Sequence, residues 1–236
     1  MKWPFFLKKK TTERDDGLID RYKEIRKVSL NLNMALAKQL PKAAVPECGK
    51  KLGIFKAGTL ILNNDDEIAI LYDYCLYHYR RADKNPIERH LEQTPPAPES
   101  TEALLLRAMA DSRFSLFRVE EIKPHQGAAV RDLLAGDTLD LMDISLSETA
   151  EPGLILAGRI LPLPDFNMSS GTLIPIPEPV YEEKIVPVIN KYRPDPASGS
   201  RPNFSQAQEA SFVAQIVRIA LREGGEDNVF YTDVEH

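Results

Sequence analysis

Four aspartates between positions 132 and 143 are the side chains in this sequence that are best placed for chemistry. Asp132, Asp137, Asp140 and Asp143 fall within and between two predicted strands. Because side chains alternate across a strand, some of them share a face, and a hairpin would bring Asp132 near Asp140. Clustered carboxylates hold divalent cations in hydrolases and nucleases. In the alternative, which we favour, Asp132 and Asp137 bond turn backbone while Asp140 and Asp143 face water.

His125 and Arg159 are the remaining candidates for such a site. His125 stands in a predicted hairpin turn, and Arg159 stands in a later predicted strand. A metal-dependent hydrolase or nuclease would use the cluster of Asp132, Asp137 and Asp140, with His125 or Arg159 as a further polar group. This is the catalytic hypothesis that the sequence offers.

No other pattern in the chain indicates catalysis, a cofactor or a metal. The four histidines include no pair with the i, i+4 spacing of a helical zinc site, and the sequence has no Cys-x-x-Cys. It has no glycine-rich phosphate loop and no nucleophile elbow. Because no set of residues has catalytic spacing, we expect a role other than catalysis, with no cofactor and no bound metal.

The composition is that of an ordinary globular protein. The 236 residues are 43% hydrophobic and 28% charged, with a formal net charge of -5. This negative balance argues against a broad face for nucleic acid. The two cysteines, Cys48 and Cys75, are too few for a disulfide framework and fit a reducing compartment. No run reaches the roughly 18 apolar residues of a membrane span. We therefore predict a cytoplasmic protein without a transmembrane segment.

The first ten residues combine aromatic and basic side chains. Trp3, Phe5 and Phe6 stand just before Lys8, Lys9 and Lys10, an order that differs from that of a signal peptide. Such a segment could touch an anionic membrane surface. In the alternative, which we favour, the aromatic side chains pack against the body of the protein.

The sequence before position 113 has the apolar periodicity of helices. One stripe at three- and four-residue steps predicts a helix from about Leu18 to Leu40, and Leu30 and Met34 widen that stripe. A helix at 67–81 is apolar nearly all round, which is typical of a helix buried between neighbours. The sequence Asn85-Pro86-Ile87-Glu88 is a helix start signal with the residues of a capping box. The predicted helices cover residues 18–40, 67–81, 86–93 and 99–111.

At Arg113 the period of the side chains changes from that of helices to that of strands. The first strand shifts phase at Leu116-Phe117, which suggests a bulge or a strand covered on both faces. Turn residues separate the strands, and no segment of helical length lies between them, which favours an antiparallel sheet or a small barrel. The five predicted strands cover residues 113–119, 128–133, 138–144, 154–161 and 172–176.

These patterns together predict an α+β fold. N-terminal helices pack on a central antiparallel sheet or small barrel of about five strands, and C-terminal helices follow at 182–192 and, capped by Ser205, to Arg222. We divide the chain into four regions of one composite globular unit. They are a basic and aromatic tail (1–14), a helical region (15–112), an antiparallel β region (113–177) and a C-terminal helical region (178–236).

Several short sequences between Tyr72 and Ile176 carry a resemblance to known proteins. They are Tyr72-Asp73-Tyr74, Pro86 to Leu91, Ser112 to Val119, Val130 to Gly136, Ser145 to Ser147 and Ala157-Gly158-Arg159. In these the chain resembles a group of uncharacterised bacterial proteins that often carry a SEC-C motif, a compact cysteine-rich zinc knuckle. The motif itself is not in this sequence, so the resemblance implies no zinc role. It supports the fold and implies no activity.

The leading functional hypothesis is a cytoplasmic bacterial protein that acts as a protein-interaction or regulatory module without catalysis. Its helical arms could present apolar faces to another protein or to a second copy of the chain. Nucleic acid is a poor candidate because of the negative charge. The metal-dependent hydrolase or nuclease remains the alternative.

Overall fold

The computed structural model describes residues 6–64, 66–193, 201–223 and 230–231, with backbone alone for 6–16 and 230–231. Five helices form the N-terminal layer. They are α1 (Phe6–Lys38), α2 (Ala44–Leu52), α3 (Asp66–His78), α4 (Pro86–Gln93) and α5 (Thr101–Ala110). A two-stranded hairpin of β1 (Phe55–Lys56) and β2 (Thr59–Leu60) lies between α2 and α3.

The first helix is longer than the sequence pattern predicts. It begins at Phe6 rather than near Leu18 and ends at Lys38, shortly before Pro41. Residues 6–16 contain no proline or glycine, and three lysines, one glutamate and one arginine among them favour helix without an apolar stripe. Most of the tail that we separated at 1–14 is therefore part of this helix, and Trp3 and Phe5 lie outside the described residues.

Local signals at the starts of two other helices are confirmed. Asn85 accepts a hydrogen bond from the backbone of Glu88, whose side chain accepts one from the backbone of Asn85, so α4 begins with a full capping box. The C-terminal helix α9 (Gln206–Glu223) begins in the same way, since Ser205 and Gln208 bond each other's backbone N–H groups.

The central β region is a small barrel. Its strands are β3 (Arg113–Lys123), β4 (Gly127–Asp132), β5 (Thr138–Met142), β6 (Ile155–Pro162) and β7 (Asn167–Ile176). They neighbour each other in the order β5-β4-β3-β6-β7, and each of these pairs is antiparallel. The five predicted strands are therefore confirmed. In β3 the register shifts between Val119 and Glu121. At Leu116-Phe117 the second interpretation is confirmed, because consecutive residues there are buried on both faces of the strand.

Closure of the barrel introduces one parallel pair. Leu141 of β5 pairs with Asn167 of β7, and Met142 pairs with Met168. When five strands alternate in direction around a ring, the first and the last point the same way. An odd number of strands therefore cannot close with antiparallel pairs alone, and the sheet is mixed rather than purely antiparallel. A short strand, β8 (Phe230–Tyr231), adds to the outer edge of β7.

Between β5 and β6 lies a short helix that the sequence pattern missed, α6 (Ile144–Thr149). Asp143 caps it by accepting a hydrogen bond from the backbone of Leu146 at 3.1 Å. Because Asp143 is buried, with 3% of its surface exposed, the expectation that it faces water was wrong. Six residues are too few for a helical period to show in the sequence.

The C-terminal helices begin with a short helix α7 (Glu178–Val180), a π-helical turn (Tyr181–Ile185) and α8 (Val186–Tyr192). Pro187 lies inside this continuous helical run, two residues after the π-helical turn, where it removes one backbone N–H donor. Apolar side chains of α3 and α9 pack on one side of the barrel in one cluster with Phe114, Leu116 and Ile174. A second cluster joins α1 to α5 through residues such as Tyr22 and Leu105.

Candidate functional site: a cleft between α1 and α3

A cleft of about 420 Å³ lies between α1 and α3, with the backbone and side chains of β7 at its floor. Its position follows from the fold, because α1 and α3 both pack over this part of the barrel and leave a space between their facing sides. The residues of its lining come from these three elements. They are Arg26, Ser29, Leu30, Asn33, Met34, Ala37, Lys38, Ala69, Tyr72, Asp73, Leu76, Ser170, Gly171 and Thr172.

The walls of the cleft are apolar and open to solvent. Leu30 and Met34 lie one helical turn apart on α1 and are 41% and 56% exposed. On α3, Tyr72 of the lining is 36% exposed, and Ile68, one turn before it and outside the lining, is 38% exposed. Leu30 and Met34 widen the apolar stripe of α1, but the wider part faces the cleft rather than the core. The result is a patch of large exposed hydrophobic side chains around a concave surface.

The floor of the cleft is polar. Asp73 lies on α3 beside Ser170 and Thr172 of β7, and burial raises the pKa of the Asp73 carboxyl. The nearby charge of Arg159 and bonding to the two hydroxyl groups oppose this pKa shift without cancelling it. Ser170 is 6% exposed, and its hydroxyl group lies beside the Asp73 carboxyl. Asp73 is therefore a carboxyl at the floor of the cleft whose ionised form the protein stabilises only in part.

Beneath the floor, Arg26 ties α1 to β7. Its Nη1 donates to the carbonyl of Ser169 at 2.9 Å and its Nη2 to Ser169 Oγ at 3.0 Å. Asp143 Oδ2 lies 3.7 Å from Arg26 Nη2 and accepts a hydrogen bond from Ser169 Oγ at 3.0 Å. Tyr22, one turn earlier on α1, accepts from Arg26 through its hydroxyl at 3.3 Å. All four side chains are buried, so this network fixes the floor in one arrangement.

Residues 16–192 match a family of unknown function, DUF7986, and this match spans α3, β7 and most of α1. The chain belongs to DUF7986. Comparisons with curated proteins and with solved structures find no match for the chain. Within the described part of the chain, no helix is long and apolar enough to cross a membrane.

Arg159, one of the candidate residues from the sequence, lies below Asp73 in this member of DUF7986. It is 3% exposed; its Nη2 lies 3.0 Å from His78 Nε2, and its guanidinium stacks 4.0 Å from the centre of the Tyr77 ring. Burial, and next the charge of Arg159, hold the pKa of His78 well below its ordinary value. His78 is therefore neutral and accepts the hydrogen bond through Nε2. Arg159 supports the floor of the cleft, and its Nη2 lies 3.8 Å from the carboxylate of Glu209 on α9.

Asp132 has the turn-bonding role that we favoured for it. The carboxylate is buried, and its Oδ1 accepts hydrogen bonds from Ser115 Oγ at 2.5 Å and from the backbone of Leu134 and Ala135. Arg113 Nη2 lies 3.4 Å from Asp132 Oδ2. The carboxylate therefore holds the turn after β4.

The other acidic candidates do not join Asp132. Asp137 is exposed and pairs with Arg113 at 3.1 Å. Asp140 pairs with Lys123 at 2.6 Å and lies opposite Ala129 in the register, on the outer face of β4, whereas Asp132 points inward. Residues an odd number of positions apart on a strand lie on opposite faces, so Asp132 and Asp140 do not approach each other. Asp140 is exposed, as in the interpretation that we favoured.

His125 is also remote from Asp132. It is exposed in the turn between β3 and β4 with a φ of 64°, and the length of β4, about 17 Å, separates it from Asp132. Within the described residues, no three histidine, cysteine, aspartate or glutamate side chains form a group that could hold a metal ion. The candidates from the sequence are thus spread over both ends and both faces of the barrel.

One charged residue on the apolar stripe of α1 indicates a buried polar contact near the cleft. Arg26 falls on the apolar stripe of α1, between Tyr22 and Ser29, and a charged residue on a buried helical face needs a partner in the core. Asp73 is also flanked by two tyrosines on a helix that reads as buried. Neither residue indicates by itself which partner it will meet, since Ser169 and Ser170 lie about a hundred or more positions away in the sequence.

Proposed function

We propose that this member of DUF7986 is a protein-interaction module, and that the cleft between α1 and α3 receives an amphipathic helix of a partner protein. The observation that carries the proposal is the set of exposed apolar side chains on both walls, which are Leu30 and Met34 on α1 and Tyr72 on α3. Single exposed hydrophobic residues are normal on a protein surface, but a group of them around a concavity marks a binding surface.

The spacing of these side chains suits a helix as the occupant. Leu30 and Met34 form one ridge on α1, and Ala69, Tyr72 and Leu76 form another on α3, with steps of three or four residues. A helix with apolar residues at positions i, i+3, i+4 and i+7 would place them between two such ridges. This is the recognition mode of a helix in a hydrophobic groove.

The charge at the floor suits a partner that carries a lysine or arginine beside its apolar stripe. Three charged residues line the cleft, and Arg26 is held by Ser169 and Asp143. Lys38 stands on the exposed last turn of α1. Among the described residues no cation lies within ion-pair distance of Asp73, whose carboxyl has a raised pKa. A cationic side chain at the floor would stabilise the ionised carboxylate, which burial disfavours.

A synthetic helical peptide tests this function. The probe is a fluorescein-labelled amphipathic peptide with leucines at helical spacing and one lysine beside the stripe. One comparison peptide has glutamate in place of the lysine, and a second has the same residues in scrambled order. Fluorescence anisotropy should show saturable binding of the lysine peptide, weaker binding of the glutamate peptide and none of the scrambled one.

Variants of the protein assign the binding to the cleft. Met34→Asp should weaken binding at least tenfold, because it places a charge in the apolar wall. The matched control is Ile61→Asp, since Ile61 is 51% exposed but does not line the cleft. Equal loss in Met34→Asp and Ile61→Asp would contradict the proposal, because the peptide would then be binding to exposed apolar surface in general.

Self-association is the competing use of the same surface. Light scattering coupled to size-exclusion chromatography measures it directly. If the protein is a dimer that Met34→Asp converts to a monomer, the occupant of the cleft is a second copy of the chain and the proposal of a partner protein is wrong. A monomer in both cases leaves the cleft free for another protein.

We also propose that the protein is cytoplasmic and of bacterial origin. Cys48 and Cys75 are both free and buried, which agrees with a reducing cytoplasm. The resemblance to bacterial proteins supports a bacterial origin. In this setting the module would act through binding, and a regulatory role would follow from what its partner does.

A further inference from the structure

A second cleft lies on another side of the N-terminal layer, between the end of α1 and the start of α4. Its volume is about 540 Å³. The residues that line it are Gln39, Pro41, Arg81, Ala82, Pro86, Arg89 and Gln93. Two guanidinium groups and two side-chain amides therefore face one concave surface, and no aspartate or glutamate is part of it. We infer that this cleft binds a phosphate monoester as a dianion.

The acids nearest to the cleft are occupied elsewhere. Glu88 forms the capping box of α4 and pairs with Arg80 at 2.9 Å. Glu92 pairs with Lys84. Asp83 is exposed in the same turn but does not line the cleft. The positive charge of the two lining arginines is consequently not balanced within the cleft.

Both lining arginines have donors to spare. Among the described residues, the Arg81 guanidinium takes part in no hydrogen bond or ion pair. Arg89 gives one of its donors to the carbonyl of Lys84 at 2.5 Å and keeps the others. Burial, and after it the like charge of Arg81, lower the pKa of Arg89, and the charges of Tyr79 and Glu88 oppose this shift without cancelling it. A bound anion would offset both the burial of Arg89 and its repulsion by Arg81.

The backbone holds Arg81 in place beside the cleft. Arg81 and Lys84 pair across a tight turn whose two central residues, Ala82 and Asp83, have φ values of 51° and 61°. Residues other than glycine avoid this region, so the turn persists only because its surroundings impose it. The turn and the capped helix α4 thus fix the backbone positions of Arg81 and Arg89, and the carbonyl of Lys84 orients the Arg89 guanidinium.

The chemistry of the ligand follows from the donors. Two guanidinium forks can each donate two parallel hydrogen bonds to one tetrahedral anion with three free oxygens. A monoester dianion carries about two negative charges above pH 6, which matches the two arginines. The cleft is several times larger than a phosphate group, and its proline and alanine surfaces leave room for an organic body.

Isothermal titration calorimetry with glycerol phosphate tests the inference, with uncharged glycerol and inorganic phosphate as the comparison ligands at constant ionic strength. At pH 7.5 glycerol phosphate should bind saturably and glycerol should not. The ratio of the affinities for glycerol phosphate and inorganic phosphate measures what the organic body adds. Binding of glycerol phosphate should weaken at pH 5.5, where the ester is largely a monoanion.

Variants assign the binding to the two arginines. Arg81→Gln and Arg89→Gln should each weaken binding at least tenfold, and Lys56→Gln, which removes an exposed positive charge outside the cleft, should not. Circular dichroism establishes that each variant is folded. No saturable binding of glycerol phosphate, or the same loss in Lys56→Gln as in the arginine variants, would overturn the inference. Neither outcome bears on the helix-binding cleft between α1 and α3.

Discussion

Arg159 Nη2 lies 3.0 Å from Nε2 of His78, and both side chains are buried beneath the cleft between α1 and α3. An arginine has no acceptor, so the hydrogen bond requires an unprotonated Nε2 on His78. The low pKa of His78 has the same origin, since burial and the charge of Arg159 both disfavour the protonated ring. The pair therefore joins α3 to β6 only while His78 is neutral.

The stability of the protein should fall as the pH drops below the ordinary pKa of histidine. In the unfolded chain His78 takes up a proton near pH 6.5, whereas in the folded state its pKa is lower and it stays neutral. The unfolded state then binds more protons, which costs about 1.4 kcal/mol of stability per pH unit below 6.5. Urea unfolding at pH 7.5 and 5.5 measures this loss. His78→Gln should remove most of it, and His125→Gln, at an exposed position, should not.

The carboxyl of Asp73 should make the stability depend on pH in the opposite direction from His78. Its folded pKa is raised, so the free energy of unfolding falls as the pH rises from about 4 through the raised pKa. Asp73→Asn keeps an acceptor for Ser170 and Thr172 without the charge. At pH 7 we expect this variant to melt a few degrees higher than the parent protein and to bind the lysine peptide more weakly. Asp20→Asn, at an exposed position of α1, is the matched control.

An opposite result for Asp73 would have a clear meaning. If Asp73→Asn lowers the melting temperature, the carboxylate is already compensated within the protein, and the argument for a cationic partner loses its basis. A gain in stability together with weaker peptide binding is the usual relation between a functional site and its cost to the fold.

The sequence was sufficient for features that depend on neighbours in the chain. The capping box at Asn85 and Glu88 and the cap at Ser205 were predicted because all their atoms come from residues three positions apart. The five strands were predicted because side-chain alternation is also local. The parallel closure of β5 on β7 was not, since the pairing of Leu141 with Asn167 depends on the whole ring of strands.

The cleft was not predicted for the same reason, because its contacts join residues that are far apart in the sequence. Arg26 meets Ser169 across 143 positions of sequence, and no local pattern indicates that pair. The four aspartates were close in sequence, and this suggested one site. Their register and their faces on the barrel separate them, and both are set by strand pairing rather than by sequence distance.

Arg26 should be essential for the stability of the floor. Arg26→Met removes the cation from a buried network that contains Asp143 and Ser169, and a loss of about 3 kcal/mol is typical for breaking such a pair. A double-mutant cycle with Asp143→Asn, which retains the acceptor that caps α6, isolates the interaction between the two residues. We expect a coupling energy above about 1 kcal/mol in urea unfolding. A coupling near zero would mean that Arg26 acts through its bonds to Ser169 and Tyr22 and through packing, and not through the charge of Asp143.

Asp132 should matter for folding and not for a metal. Asp132→Ala leaves Ser115 and two backbone N–H groups without their acceptor in a buried turn, so we expect a loss of about 2–3 kcal/mol in urea unfolding. Asp137 is exposed and pairs with the same arginine, Arg113, so Asp137→Ala should lower the free energy of unfolding much less. Mg²⁺, Mn²⁺ and a chelator should leave the melting temperature of the parent protein unchanged. A rise in melting temperature with either cation that Asp132→Ala and Asp140→Ala both abolish would restore the metal-dependent hypothesis, because it would require those two carboxylates to share an ion.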